Sequence, residues 1–390
     1  TFNRGSYLIN VATEIDNGGQ KEIAAHAYYQ LQRDTAAPAG ESSMVSTYTG
    51  PAIYTEQEKY QKINFKDIEK GSAKFVEKAD NGWIAMVQHY FVSAWVPEEK
   101  LPREFFVRKL EGSSAVAAGV IVPLPTVAAG AKVSQTISLF AGPQIQSTLD
   151  QLAKPVAEGG IGAKGLPLVV DYGWLTIVAA PIFWCLEVIH KLIGNWGWAI
   201  IALTIIVKII LMPIANKSYY SMAKMRAVAP RLQALKEEFG DDRMRMSQEM
   251  MKIYKEEQVN PMAGCLPIIV QMPIFLALYW VLVESVQLRH APWILWIKDL
   301  STMDPYFILP LIMGAAMFFQ QHLNPQPTDP MQARVMKFMP IIFTVFMLFF
   351  PAGLVLYWTV NNLFSMAQQY LINKKVEKEQ AAKDAARNVV

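Results

Sequence analysis

The sequence predicts a polytopic α-helical membrane protein with an all-β domain on its N-terminal side, and three observations predict it. The chain has 390 residues, of which 52% are hydrophobic and only 18% charged, and its mean hydropathy is +0.19. The apolar residues are unevenly spread. Up to about residue 165 they alternate in short runs broken by Gly, Pro and Asn, as half-buried strands do. From Trp196 on, long uncharged runs recur, and the first, Trp196–Pro213, contains a single charge, Lys208. At ~1.5 Å per residue that run reaches ~27 Å, enough to cross the hydrocarbon core of a bilayer.

Within residues 1–165, Tyr7, Ile9, Val11 and Thr13 alternate with smaller or polar residues, and Asp16-Asn17-Gly18-Gly19 supplies a turn before a second run to Leu31. Further strand runs are Trp83–Trp95, Phe105–Leu110, Ala115–Val122 and Val133–Phe140. No helix-strand alternation accompanies them, so a sandwich is expected rather than a doubly wound sheet. Gly160-Ile161-Gly162-Ala163-Lys164-Gly165 fits the GxGxxG pattern. A dinucleotide fingerprint needs a strand before it and a helix after it; here Pro155 precedes and Pro167 follows, so a flexible linker is expected. Residues 166–194 then form a linker and an amphipathic helix. Its uncharged part, Tyr172–Leu186, is short for a span and contains Pro181, which favours a helix lying in the interface.

Spans are expected at 195–214, 260–284, 305–322, 337–350 and 353–373, five crossings in all. The last two come from one run, Phe338–Ile372, which Pro351-Ala352-Gly353 splits. Phe338–Phe350 reaches only ~20 Å as a helix, which implies a locally thinned bilayer around it. Lys and Arg crowd the segment 215–259 and the tail 374–390, and the stretch before Phe338 (the loop 323–336 and Lys337) has Arg334 and Lys337, whereas the loop 285–304 holds only Arg289 and Lys298. By the positive-inside rule the first three are cytoplasmic and the β domain is periplasmic. Between Ser218 and Val259, Met222, Met225, Ala229, Leu232, Leu235 and Phe239 recur at three-four spacing until Gly240-Asp241-Asp242 breaks the helix. That pattern predicts a cytoplasmic helical hairpin, either an adaptable methionine-rich binding surface or simply a solvated, self-packed pair. The chain opens on a strand pattern without Met, so a targeting or anchoring segment is expected upstream.

Several chemistries are excluded. The sequence has no P-loop, HExxH or GxSxG motif, and none of the five spans contains Asp or Glu apart from Glu284 at one boundary. Aspartyl proteolysis and carboxylate proton relays therefore lack their residues. Cys185 and Cys265 form no CxxC pair, the five histidines are scattered, and no cofactor motif is present. Lys208 is the informative residue. A cation in a span costs ~2.5–3.5 kcal/mol on insertion scales. Two readings stay open: its stem snorkels to the headgroups beyond Pro213, or it faces a wet cavity with Thr204 one turn earlier, Gln271, and the pair Asn361-Asn362 in other spans. A transporter using Lys208 as an anion site is weakened by the lack of an internal repeat or paired acid. A membrane-tethered periplasmic sugar enzyme leaves the lysine and the hairpin without a role.

The motifs SYYSMAKMRAVAP, EMMKIYKEEQVNPMAGCLPIIVQMPIFLALYWVL, DPYFILPLIMGAAMFF and FPAGLVLYWTVNNLFSMAQQYLI, together with FNRGSY, NGWIAMVQHYF and DYGWL upstream, resemble the YidC membrane protein insertase family of Gram-negative bacteria over nearly the whole chain. The resemblance implies a multi-pass protein of the bacterial inner membrane, with an N-terminal anchor helix ahead of the five spans. It implies a periplasmic β-supersandwich similar to sugar mutarotases, and a hydrophilic groove among five core helices. It further implies ATP-independent insertion of nascent membrane proteins, with the Sec translocon and its accessory subunits, the ribosome and membrane lipid as partners. No small-molecule substrate, cofactor or metal is implied. The family's groove carries a basic residue, usually arginine; the matching position here is Lys208, which keeps the charge and loses the bidentate fork. A tyrosine pair common in relatives reads Tyr357-Trp358. The family's substrate-contacting helices match Met262–Val283, with Met272, Pro273 and Phe275, and Leu354–Ile372. In the hairpin, Met222, Met225, Arg226, Arg243 and Met251 are the candidates for receiving substrate or ribosome.

Overall fold

The structure, a computed structural model, describes residues 1–36, 47–239, 242–257, 259–260, 264, 266–324 and 330–387. Two compact units emerge: Thr1–Asp171 with Glu284–Gln287, and Tyr172–Val283 with Leu288–Val390. The first unit is built from β1 (Leu8–Asp16), β2 (His26–Asp34), β3 (Gly50–Thr55), β4 (Lys59–Lys62), α1 (Phe65–Glu69), β5 (Lys78–Ala79), β6 (Trp83–Val87), β7 (Phe91–Val96), β8 (Arg103–Lys109), β9 (Ala115–Pro123), β10 (Lys132–Pro143) and α2 (Gln146–Ala153). These strands make a six-stranded sheet, β1-β10-β7-β6-β3-β4, and a four-stranded sheet, β2-β9-β8-β5. Every paired ladder is antiparallel. Ile53, Ile84, Met86, Phe105, Val116, Val120 and Ile137 fill the space between the sheets, as expected of a sandwich.

The Asp16-Asn17-Gly18-Gly19 turn does not make a hairpin. β1 pairs with β10 and β2 with β9, so the chain changes sheets there. Asn17 fixes the crossing: its buried amide donates to Lys21 O, Val127 O and Ala128 O at 2.8–3.1 Å and accepts from Gly19 N. The single run Trp83–Trp95 is two strands. Gln88–Tyr90 turn the chain so that Ile84 lies opposite Trp95, and Gln144 closes the turn by donating to Gln88 O and Phe91 O.

The glycine-rich stretch 160–165 is a packed turn, which corrects the expectation of a flexible linker. Gly165 has φ +73°, and a Cβ there would sit 2.2 Å from the Tyr54 ring; one on Gly160 would sit 2.0 Å from Lys154 O. Trp83 stacks on Tyr54 and donates its indole N–H to Lys164 O at 2.8 Å. Close backbone approach is what required glycine here, and phosphate binding was not needed to explain it. Arg103, 4% exposed, is the other fixed point. Its guanidinium donates to Leu101 O, Gly82 O, Pro97 O, Asp80 O and Glu98 O, tying together the β5–β6 and β7–β8 loops. Burial pulls it down to about 10, against the nearby Asp80 and Glu99, so it stays charged at neutral pH.

The second unit is helical: α3 (Thr176–Ile193), α4 (Trp196–Phe239), α5 (Arg243–Glu256), α6 (Leu266–Glu284), α7 (Ile308–Gln321), α8 (Pro330–Met347) and α9 (Ala352–Arg387). Gly173–Ile193, α4 and α6 are long and apolar enough to cross a membrane, and α7 is a shorter apolar helix. Length therefore does not set the α3 segment apart from a span; its exposed Trp174, Ile177, Trp184 and Leu192 form a broad apolar surface. Two expected boundaries carry no change of structure. α4 runs unbroken through Pro213 and Pro230, and α9 runs from the Pro351 turn through Lys374, Lys375 and Lys378. A proline removes one backbone bond and favours a bend, but flanking helix formers keep the helix going. Asp242 does cap α5, accepting from Arg245 N at 3.0 Å, whereas Gly240 and Asp241 lie outside the described residues. The buried row of the α4 extension is Ala215, Tyr219, Ala223, Val228 and Leu232, one step around from the methionine row, so Met222 and Met225 are only half-buried.

Arg103→Met should lower the unfolding midpoint of the β domain sharply, because several buried carbonyls lose their donor and such losses cost at least ~3 kcal/mol together. Arg103→Lys, with three donors from a point charge, should recover only part of this. Urea titration of the detergent-solubilised chain, read by proteolysis of residues 1–171, checks both; equal midpoints for all three proteins would contradict the assignment.

Candidate functional groove

The helical unit buries a line of polar side chains among otherwise apolar helices, and α9 supplies most of them. α4 and α9 pack side by side. Lys208, on α4, is 6% exposed and its Nζ donates to Ser365 Oγ on α9 at 2.7 Å. Ser365 in turn donates to Asn361 O at 2.7 Å and shares a hydrogen bond with Tyr219 of α4. One turn further along, Gln368 donates to Asn216 Oδ1 at 2.7 Å. The row Asn361, Ser365, Gln368 follows the three-four spacing of one helix face, and it meets Lys208, Asn216 and Tyr219 on the other helix. Lysine stems of this length can reach headgroups, but here the ammonium turns inward to a hydroxyl.

Thr204 is buried beside this line, yet its hydroxyl donates to Ile200 O at 2.7 Å, one turn back in its own helix. Thr359 does the same to Val355 O. Such back-bonding satisfies a hydroxyl in an apolar environment and leaves Thr204 without a bond to the lysine. Gln271 of α6 donates to the Tyr357 hydroxyl of α9, and Tyr357 is 1% exposed. Trp358 turns to the next face: it meets Phe275 of α6 edge-on at 4.8 Å and Phe343 of α8 at 5.1 Å. The aromatic contacts continue from Phe343 to Phe346, Phe350 and back to Tyr279 of α6. α6 therefore meets α9 and the turn after α8 through long side chains, and its Pro273 removes one internal backbone bond.

The structure thus brings Lys208 together with Asn361 through Ser365, and Gln271 with Tyr357. Phe275 and Trp358 meet as a separate aromatic group. Met272 and Pro273 are exposed on α6 and do not join Phe275. Asn362 is buried on the α9 face turned away from the Lys208 row. In the hairpin, Arg226 and Met251 are exposed and Met222 and Met225 half-buried; the side chain of Arg243 lies outside the described residues. Arg231 holds α4 to the end of α5 through Glu257 at 2.8 Å. Sequence reasoning passed over Ser365, Tyr219, Asn216, Gln368, Gln369 and Asn373. The signal was present in Ser365-Met366-Ala367-Gln368-Gln369 and Asn373: hydrogen-bonding side chains at helical spacing beyond an apolar run.

Several buried atoms in this region have no partner: Asn361 Oδ1, Asn362 Nδ2, Gln368 Oε1 and Trp358 Nε1. Unpaired amides in a helix bundle call for water or for polar groups of a visiting chain. Among the described residues no group of three or more His, Cys, Asp or Glu is arranged to hold a metal.

The chain is similar to known proteins along nearly its whole length. The family model described as 60Kd inner membrane protein matches residues 188–380, and the one described as YidC periplasmic domain matches residues 1–185. The chain is 60% identical to the membrane protein insertase YidC of Dechloromonas aromatica (strain RCB), over 99% of this chain and 69% of that protein. It is 54% identical to the membrane protein insertase YidC of Aromatoleum aromaticum, over 98% of this chain and 68% of that protein. It is also similar to a solved structure described as an active YidC insertase with the first transmembrane domain resolved, at 19% identity and a TM-score of 0.48, covering 87% of this chain and 79% of that one. On the two family models and the 60% and 54% identities, the chain belongs to the YidC family of membrane protein insertases.

Proposed function

We propose that the protein inserts newly made membrane proteins into the bacterial inner membrane, using Lys208 and the polar face of α9 to carry hydrophilic flanks. The observation that supports this best is a cation buried in an apolar helix bundle with a hydroxyl as its partner. A fixed carboxylate partner would neutralise it; a hydroxyl leaves the charge available to an acidic residue of an incoming chain. An apolar segment of the substrate moves along the aromatic side chains of α6, α8 and α9, while its short polar flank replaces water beside Lys208 and the α9 amides. Each polar group that finds a partner there avoids the penalty of entering hydrocarbon bare. Partition of the apolar segment into lipid then drives transfer, with the membrane potential acting on charged flanks. The reading uses no covalent intermediate and no nucleotide.

On the same reading Lys217, Lys224, Arg226 and the lysines of α9 beyond Ile372 face the cytoplasm, where their charge suits anionic headgroups and ribosomal RNA. The Sec translocon is the expected partner for substrates with large translocated domains. The exposed Met244 and Met251 of α5 give a soft surface for varied substrates.

Insertion of a small single-span substrate with an acidic N-terminal flank into proteoliposomes tests the role of the charge. Lys208→Arg should insert at least as well as the parent, whereas Lys208→Ala and Lys208→Glu should be about ten- to hundredfold slower, the ~1.5–3 kcal/mol of a hydrogen bond to a charged group. Equal rates for all four would leave Lys208 with a packing role only. Ser365→Ala removes the ammonium's acceptor and should destabilise the helical unit by about 1–3 kcal/mol. In the Lys208→Met background the same change should cost much less, and a thermal-unfolding cycle in detergent measures the difference.

A further inference from the structure

α9 carries a second buried polar row on another face. Asn362, Gln369 and Asn373 are spaced by seven and four residues, so they lie along one line facing α7. Gln369 is fully buried, and its Nε2 donates to Asn324 Oδ1 at 2.8 Å and to Leu323 O at 3.2 Å. Asn373 donates to the same Leu323 O at 3.3 Å. These acceptors follow the last turn of α7, whose closing amides reach only back to Phe319, Gln320 and Gln321. Gln369 Oε1, Asn373 Oδ1 and Asn362 Nδ2 have no partner although they are buried.

α7 and α8 are joined to each other tightly. A Cβ on Gly314 of α7 would come within 2.2 Å of Thr344 Oγ1 on α8, and Gln321 donates to Met336 O across the same pair. At its other end α7 is held by a different kind of contact. Asp304, 1% exposed, accepts from Leu309 N at 2.7 Å, Tyr306 N and Trp296 Nε1. The segment just before it pairs with the start of α9 through backbone: Ala352 N to Thr302 O at 2.6 Å and Gly353 N to Leu300 O at 2.9 Å. One end of the α7–α8 pair is therefore fastened by a capped carboxylate and backbone bonds. The other is held by neutral amide bonds whose unused atoms are ready to take water.

We infer that Gln369 and Asn373 form a latch that holds the Asn324 end of the α7–α8 pair against α9, and that this pair swings about its Asp304 end when a substrate enters. The inference rests on the insertase reading and adds the moving part. Neutral amide bonds exchange readily for water-mediated ones, so the latch opens at little net cost while backbone pairing at Thr302 and Leu300 stays formed. α8 moves with α7 because Gly314 and Thr344 leave no slack between them. Swinging α8 carries Phe343 away from Trp358, which parts the aromatic contacts between α8 and α9 and uncovers the unpaired Trp358 N–H. Gln369 and Asn373 are positioning residues, since they act on the groove through α7 and α8. An open form populated at roughly 0.1–10% is typical of such two-state elements.

Asn324→Cys with Gln369→Cys, in protein carrying Cys185→Ser and Cys265→Ser, permits a direct test in proteoliposomes. A short bis-methanethiosulfonate linker should slow insertion about tenfold or more by removing the open population, and reductant should restore it within the same sample. Linked protein that inserts as fast as unlinked protein overturns the latch. Hydrogen exchange provides a readout independent of insertion: Gln369→Leu should speed exchange at Leu323 and Asn324 while Leu309 and Gly353 keep the parent rate. Uniform acceleration at both ends, or none at either, also overturns it. If the unlinked protein and the parent both fail to insert while the exchange pattern holds, the insertase reading fails and the latch stands.

Discussion

Lys208 occupies a place where a charge is costly, and the helices around it are arranged to meet that cost without cancelling the charge. A carboxylate on α9 would have formed a closed ion pair; Ser365 instead accepts one hydrogen bond and donates another to Asn361 O. The bond spans two helices far apart in sequence, so it also fixes how α9 is rotated against α4. That rotation sends the Asn361 row toward α4, Tyr357 and Trp358 toward α6 and α8, and the Gln369 row toward α7. A one-residue change of register would turn each face by ~100° and present Phe364 or Met366 to the lysine.

The β domain applies the same economy with different groups. Arg103 serves five carbonyls from two loops, and Asn17 serves the crossing between sheets. In both cases one buried polar side chain replaces several backbone partners that irregular segments cannot find in a ladder. Sheets elsewhere need no such device, since their backbone groups are paired by register.

Local features were legible in the sequence. An uncharged run with one lysine, a proline-glycine break at Pro351, and strand alternation at Tyr7–Thr13 each depend on residues a few positions apart. The GxGxxG stretch was legible as a break between elements, but the reason it needs glycine, the Tyr54 ring against Gly165, comes from more than a hundred residues away. What the sequence hid was partnership at a distance: β1 with β10, Lys208 with Ser365, Gln271 with Tyr357. The continuity of α4 and α9 was hidden for another reason. Prolines and a change from apolar to basic composition mark a change of solvent, which a helix can cross without changing its backbone.

That continuity has a mechanical meaning. Between Lys208 and Phe239 the α4 rod extends ~46 Å without a joint other than the slight bends its prolines allow. A rod of this length magnifies small rotations, so tilting it by ~5° displaces its far tip by ~4 Å. Whatever binds the methionine-bearing tip and α5 therefore exerts leverage on the neighbourhood of a buried cation, and a load at the tip is felt as torque on the contacts between α4 and α9. A short span followed by a slack loop would have kept the two places mechanically separate.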